Sequence, residues 1–123
     1  MAGIQFIEYQ GKKILEMDFQ NLVYTDLNVI REIMEKSKQL IGAEPLNSVF
    51  TLTNVSNVRF CSEMIELFND FTAHNKPYVK HGAVVGIVGP KKLAYNVVMK
   101  FSGRNVPIFP DRQAALEWLA QQN

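Results

Sequence analysis

Cysteine, net charge and long apolar runs are what this chain has least of. Its 123 residues include one cysteine, Cys61, which excludes an internal disulfide. Thirteen Lys and Arg against twelve Asp and Glu give a formal net charge of +1, so no overall field favours nucleic acid or an anionic membrane. The longest apolar run, residues 83–88, is far shorter than the roughly 20 residues of a transmembrane segment. Residues 1–5 lack the features of a signal peptide, and we expect a soluble, cytoplasmic protein.

Catalytic and metal-binding patterns are also missing. His74 and His81 have no cysteine or carboxylate at ligand spacing, whereas a structural zinc site needs about four ligands. The glycines within residues 82–89 are spread through a predicted strand and not grouped in the turn after it, so they do not form a dinucleotide-binding fingerprint. Cys61 has no identifiable base to activate it and is expected to be a small buried residue. We therefore expect no enzymatic activity, no cofactor and no metal.

The segment from Gly82 to Leu119 is the most informative part of what is present. It contains an apolar strand over residues 83–88, a Gly-Pro turn, an apolar helix over residues 93–101, a short strand over residues 106–109 and a final helix capped by Asp111. A strand that is apolar on both faces, followed twice by a helix, is typical of a parallel sheet covered by helices. The sequence therefore predicts an α/β fold.

The rest of the chain extends this pattern. Alternating apolar residues on either side of Gly11 predict an N-terminal hairpin. Helical spacing begins at Thr25, a candidate N-cap, and stops at Gly42, and a second helix is predicted from Ser62 to Asn75. With a strand at residues 49–52 between these helices, the predicted order is β-β-α-β-α-β-α-β-α. We expect one domain over residues 1–123, with a mixed, mostly parallel sheet made of the hairpin and three parallel strands, flanked by four helices.

Two stretches carry a family resemblance: Asn75-Lys76-Pro77-Tyr78 before the fourth strand, and residues 108–119 with their closing Ala-Leu-Glu-Trp-Leu helix. Together with the element order, they resemble the SpoIIAA-like branch of the STAS superfamily. The resemblance implies a small α/β domain without cofactor chemistry. It also implies use in binding a protein partner or, as in the related lipid-carrier fold, an apolar ligand.

The resemblance also implies one candidate modification site. The superfamily's phosphorylation switch uses a serine in an Asp-Ser-Ser/Thr-Gly motif, at the start of the helix after the third strand. Residues 58–63 occupy that place here and put Ser62 at the serine, but the preceding Asp is absent and Glu63 replaces the glycine. We interpret Ser62 as a structural N-cap, with a phosphorylation-switched anti-sigma factor antagonist as an alternative.

The turn after the fourth strand carries two lysines in an unusual place. Lys91 and Lys92 follow Gly89 at the start of a helix, where the helix dipole disfavours positive charge. Because local violations of this kind concentrate at functional sites, we predict that Gly89, Lys91 and Lys92 bind an anion or an acidic side chain of a partner. The alternative is that both lysines are simply solvated.

The third helix provides the last candidate site. At 100° per residue, one stripe is expected to be buried: Leu93, Ala94, Val97, Val98 and Phe101. Tyr95 and Met99 fall together on another side and are predicted to form a dimer or partner interface, or to line a pocket. The expected function is a non-enzymatic regulatory or protein-interaction module, with a homodimer as one arrangement. The alternative is a carrier of an apolar, lipid-like ligand.

Overall fold

Strands and helices alternate along the computed structural model, which describes residues 3–123. The strands are β1 (Gly3–Tyr9), β2 (Lys12–Asp18), β3 (Val49–Asn54), β4 (Val79–Val85) and β5 (Ile108–Phe109). The helices are α1 (Leu27–Gly42), α2 (Ser62–Asn75), α3 (Lys91–Ser102) and α4 (Arg112–Ala120), and a short 3-10 turn covers Tyr24–Asp26. Met1 and Ala2, two of the residues used in the signal-peptide argument, lie outside the described residues. The predicted order of elements is confirmed.

The sheet has the order β1-β2-β3-β4-β5. β1 pairs antiparallel with β2, and every later neighbour is parallel. The hairpin turns at Gln10 and Gly11, whose φ angles of 48° and 82° match the twist of the flanking strands. The expected mixed, mostly parallel sheet is confirmed, and its parallel part runs through β2, β3, β4 and β5.

This sequential strand order decides where the helices lie. Right-handed crossovers that all advance in one direction place their helices on one face of the sheet. α1, α2 and α3 accordingly share one apolar core with Leu15 and Met17 of β2. α4 covers the other face, packing with Ile14 of β2 and Leu52 of β3. The central strands are buried on both faces, as the apolar runs predicted.

The predicted burial of α3 is wrong for three residues. Leu93, Val97 and Phe101 are 74%, 51% and 66% exposed. The face that packs inward contains Val98 and Ser102, both buried, together with the half-buried Tyr95 and Met99. These four residues follow the i, i+3, i+4, i+7 spacing of one helix face. The helix has two apolar sides, and periodicity alone does not say which of them faces the sheet.

Two strand boundaries also differ from the prediction. The fourth strand was expected to run through residue 88, but β4 ends at Val85 because Gly86 adopts a φ of +98°. A Cβ at residue 86 would lie 2.4 Å from the backbone nitrogen of Ser56, so only glycine fits this close approach. The last strand is shorter than expected, at Ile108–Phe109. Within residues 3–123, no helix is long and apolar enough to cross a membrane.

Candidate functional site

The turn that carries Gly89, Lys91 and Lys92 is already hydrogen-bonded. The backbone N–H groups of Lys91, Lys92 and Leu93 each donate to the carbonyl three residues earlier, at 3.3, 3.1 and 3.1 Å. Lys91 Nζ donates to the Val55 carbonyl at 3.0 Å, and burial lowers the pKa of Lys91. Lys92 is exposed. Anion binding at this turn stays a prediction, with Lys92 as its accessible cation.

Ser62 is the first residue of α2 and is not its N-cap. The N-cap is Cys61, whose φ of −114° and ψ of 172° are extended, and it makes no side-chain capping hydrogen bond. The N-cap interpretation of Ser62 is therefore wrong, because the extended conformation that precedes the helix belongs to Cys61. The Ser62 side chain is exposed, and its role as a phosphoacceptor stays a prediction.

The two histidines have aromatic neighbours. His74 stacks on Tyr78 with ring centroids 5.8 Å apart. His81 lies edge-on to Phe50 and Trp118, on the face of the sheet that α4 covers. In the part of the chain that the structure describes, no three His, Cys, Asp or Glu side chains are grouped as metal ligands.

Tyr95 and Met99 line a partly open cavity of about 60 Å³ between α2, α3 and the sheet. Most of the remaining lining is apolar: Met17, Val55, Phe60, Phe68, Phe71, Val84, Ile87, Val98 and Val106. The polar part consists of Thr51, Thr53, Thr72, Asn75 and Arg104. Arg104 is the only charged residue among these lining residues.

A helix-ending turn directs Arg104 toward this cavity. Gly103 adopts a left-handed φ of +67° after α3, and the Arg104 N–H donates to the Met99 carbonyl at 3.1 Å. This glycine turn reverses the chain at the end of the helix. The Arg104 Nη1 atom then lies 3.5 Å from the Thr72 carbonyl oxygen. Sequence reasoning missed Arg104, and the glycine after an amphipathic helix was the only local signal near it.

Gly82 of β4 makes room for the polar end of the cavity. A Cβ at residue 82 would lie 2.9 Å from Thr51 Oγ1 and 3.5 Å from Arg104 Nη2. Glycine at residue 82 therefore lets the Thr51 hydroxyl and the Val106 side chain, whose Cγ1 would lie 3.3 Å from that Cβ, pack against the strand backbone. The geometry is that of a polar corner in an otherwise apolar cavity.

Burial changes the acid–base behaviour of two lining residues. Burial raises the pKa of Tyr95 to about 12, although the nearby Arg104 acts in the opposite direction. Burial lowers the pKa of Arg104, and the neighbouring Tyr95 partly opposes that shift. The Tyr95 hydroxyl donates to the Val106 carbonyl. At neutral pH the cavity therefore contains a neutral tyrosine and a charged guanidinium.

The opposite side of α3 forms a second surface, called here the outer face and defined by Leu93, Val97 and Phe101. Residues at i, i+4 and i+8 lie one above another on a helix, so the three exposed apolar side chains form one stripe. Lys100 is exposed at one edge of this stripe, and Lys92 is exposed about 100° around the helix from Leu93. The sequence of α3 contains no Asp or Glu.

Comparisons with known proteins identify the fold. No protein-family model matches the chain, and neither does any curated protein sequence. An anti-sigma-factor antagonist (STAS) domain protein from Planctomyces limnophilus is similar, with a TM-score of 0.60 and 22% identity over 98% of this chain and 100% of that chain. An uncharacterized protein with a SpoIIAA-like fold from Shewanella loihica PV-4 gives a TM-score of 0.65 and 17% identity, over 97% of this chain and 95% of that one. The protein therefore has the SpoIIAA-like STAS fold that the sequence predicted.

Proposed function

We propose that the protein is a non-enzymatic, cytoplasmic regulatory module that binds another protein through the outer face of α3. The observation that carries this proposal is the stripe of Leu93, Val97 and Phe101, which are more than half exposed. Single exposed apolar residues are ordinary, but a contiguous apolar patch rimmed by polar residues is typical of an interaction site. The likeness to a STAS domain protein described as an anti-sigma-factor antagonist supports a regulatory binding role.

Charge indicates the chemistry of the partner. Lys92 and Lys100 are exposed on the same helix as the stripe, and α3 carries no acidic residue to neutralise them. A complementary surface is apolar at its centre and carries carboxylates at its rim. Two copies of this chain joined through their outer faces would bring like charges together. We therefore propose a different protein as the partner, and a homodimer through this face is disfavoured.

Site-specific photo-crosslinking in cells tests the outer face. A photoreactive phenylalanine at residue 101 is expected to crosslink to a discrete partner, because Phe101 is 66% exposed at the end of the stripe. The same group at Leu46, which is 67% exposed but lies before β3, serves as the matched control. Crosslinks of equal yield and identity from both positions would contradict the proposal.

The partner identified in this way allows a quantitative test with purified proteins. The double variant Leu93→Ser/Phe101→Ser is expected to weaken its binding at least about tenfold, since two buried apolar contacts are removed. Lys92→Glu/Lys100→Glu is expected to weaken binding mainly through slower association. Leu46→Ser is expected to leave the affinity unchanged, and a partner that binds all three variants equally does not use this face.

A second candidate function is the carriage of an apolar ligand. The specific observation that favours it is the cavity behind α3, whose lining is mostly aliphatic and aromatic. Ligand sites are commonly apolar cavities with a few placed polar groups. Under this proposal α3 separates two binding regions, with Tyr95 and Met99 facing the cavity and Leu93, Val97 and Phe101 facing outward.

A further inference from the structure

The outer edge of β1 is open to a further strand. β1 stands at one end of the strand order, and within residues 3–123 the one strand that pairs with it is β2. An edge strand presents a row of unpaired N–H and C=O groups, which natural proteins commonly protect with lysines, prolines or bulges. β1 has seven residues in continuous register with β2, contains no lysine or proline and carries one charged residue, Glu8. This edge therefore lacks the usual protection against pairing.

The hairpin turn decides which residues of β1 point their backbone groups outward. Gln10 and Gly11 both have positive φ, and a two-residue turn of this kind is closed by a hydrogen-bonded pair, here Tyr9 and Lys12. Hydrogen-bonded and non-hydrogen-bonded pairs alternate along an antiparallel ladder. The residues whose N–H and C=O groups point away from β2 are therefore Ile4, Phe6 and Glu8.

This pattern makes β1 complementary to a second copy of itself. Phe6 is the midpoint of β1 and one of the outward-bonding residues. A two-fold axis at Phe6 aligns the two strands antiparallel along their whole length, with Phe6 opposite Phe6 and Ile4 opposite Glu8 of the second copy. Each hydrogen-bonded pair exchanges two bonds, so this register uses the N–H and C=O groups of every outward-bonding residue.

The side chains are compatible in the same register. Phe6 meets the Phe6 ring of the second copy, and Tyr9 lies opposite Gly3, where an aromatic ring can cover the glycine. Glu8 lies opposite Ile4, so the two Glu8 carboxylates are four residues apart along the strands. Like charges directly opposite one another, which would destabilise the pairing, are avoided.

The two ends of the hairpin carry opposite charge. Lys12 and Lys13 follow the turn, and Asp18 lies at the open end. An antiparallel pair of hairpins places the turn of each copy beside the open end of the other. Because Lys12 pairs with Tyr9, and Asp18 with Gly3, Lys12 comes into the same row as Asp18 of the second copy. This complementarity favours a second copy of the chain as the occupant of the edge.

We infer that two copies of the protein associate through β1 and form one continuous sheet with a two-fold axis at Phe6. Both copies use the same surface, as in most symmetric dimers. The contact lies at the β1 end of the sheet, whereas α3 connects β4 to β5 at the other end. The inference therefore goes beyond the proposed function and leaves the outer face of each copy open.

Disulfide crosslinking tests the register, in a Cys61→Ala background that removes the native thiol. Phe6→Cys is expected to give a covalent dimer with oxidised glutathione, because opposite hydrogen-bonded residues have Cα atoms ~5.5 Å apart. Ile4→Cys alone is the matched control, since the two copies of Ile4 lie ~14 Å apart. A mixture of Ile4→Cys and Glu8→Cys is expected to crosslink, because these positions face each other. Intact-mass spectrometry measures the yields.

A proline substitution tests the backbone hydrogen bonds. Glu8→Pro removes an N–H that points away from β2, and we expect dimerisation to weaken at least about tenfold because two bonds are lost per dimer. Glu8→Ala removes the same side chain but keeps the N–H, so it is expected to dimerise like the wild type. Sedimentation over a concentration series measures association, and circular dichroism checks that both variants fold.

Every outcome decides for or against the β1 contact. A wild type that sediments as a single chain at all concentrations would overturn the inference. Equal dimerisation of Glu8→Pro and Glu8→Ala would place the contact elsewhere and overturn it, as would crosslinking of Ile4→Cys alone at the yield of Phe6→Cys. Photo-crosslinking at residue 101 reports on the outer face separately, so the dimer and the proposed function can fail independently.

Discussion

At the scale of the residue, Gly86 is a position where the backbone leaves no room for a side chain. Its φ of +98° strains any L side chain, and an added Cβ would lie 2.4 Å from the Ser56 nitrogen. We expect Gly86→Ala to lower the free energy of unfolding by more than ~1 kcal/mol, because strain and backbone displacement add together. Urea denaturation measures the effect.

Gly42 provides the control for this substitution. It ends α1, and an added Cβ there would have no neighbour within 4 Å. Gly42→Ala is therefore expected to leave stability unchanged or to raise it by up to about 1 kcal/mol. Comparable losses in both variants would contradict the argument from close approach.

Residue-scale features were the hardest to predict from the sequence. The Asp111 cap of α4 was predictable because capping is local, and its side chain accepts from the Ala114 N–H at 2.8 Å. Arg104 was not, because the residues around it, Thr51 and Thr72, are brought close only by the fold. Ser62 was misplaced by one residue because helix starts are poorly defined by side-chain preference alone.

At the scale of the element, α4 is joined to the sheet by an ion pair between two residues that are far apart in the sequence, Arg112 of α4 and Glu16 of β2. Arg112 Nε and Nη2 donate to the two carboxylate oxygens of Glu16 at 2.5 and 3.1 Å. Glu16 is only 9% exposed, and its hydrogen bond raises the pKa of Arg112. The pair holds the first turn of α4 against the centre of the sheet.

Removing Arg112 is expected to weaken this attachment. Arg112→Met leaves a buried acceptor without its partner, so the free energy of unfolding should fall by ~1–3 kcal/mol. Arg31→Met, on the exposed side of α1, should change stability by less than ~0.5 kcal/mol. Adding Glu16→Leu to Arg112→Met should recover part of the loss, because no unpaired charge then remains buried. Equal stability of the Arg112 and Arg31 variants in urea denaturation would contradict this role.

The sequence predicted the helices and strands well, but it did not predict which face of α3 is buried. Periodicity identified four helices and the hairpin, since each has a regular apolar pattern. It failed at α3, where the stripe of Leu93, Val97 and Phe101 is as regular as the face that packs inward. Which face is buried depends on α2 and the sheet, and no local rule contains that information.

At the scale of the whole molecule, the burial of Tyr95 links stability to alkaline pH. Its pKa is raised from 10.0 to about 12, so the folded state keeps a proton that the unfolded chain loses. The resulting stabilisation is complete below about pH 10 and is lost as the pH rises through about 12. The free energy of unfolding should therefore fall more steeply across that interval in the wild type than in Tyr95→Phe.

The expected difference is modest because Tyr95 is only partly buried. After allowance for solvent screening, we expect the wild type to lose about 1–2 kcal/mol more than Tyr95→Phe between pH 9 and pH 12. Urea denaturation at both pH values measures it, and other ionisations cancel in the comparison. Parallel losses in the two proteins would show that the phenol ionises as freely in the folded state as in the unfolded chain.

The sequential order of the sheet also has a consequence for how the protein folds. Each strand after β1 pairs with the strand that precedes it in the chain, so no pairing has to wait for a distant segment to be made. Neighbouring parallel strands are joined through a single intervening helix, so each loop closure is shorter than in a sheet whose strand order is shuffled. Each new strand pairs with a strand that has already been synthesised. The hairpin and the helix–strand units that follow it are therefore suited to assemble in the order of synthesis.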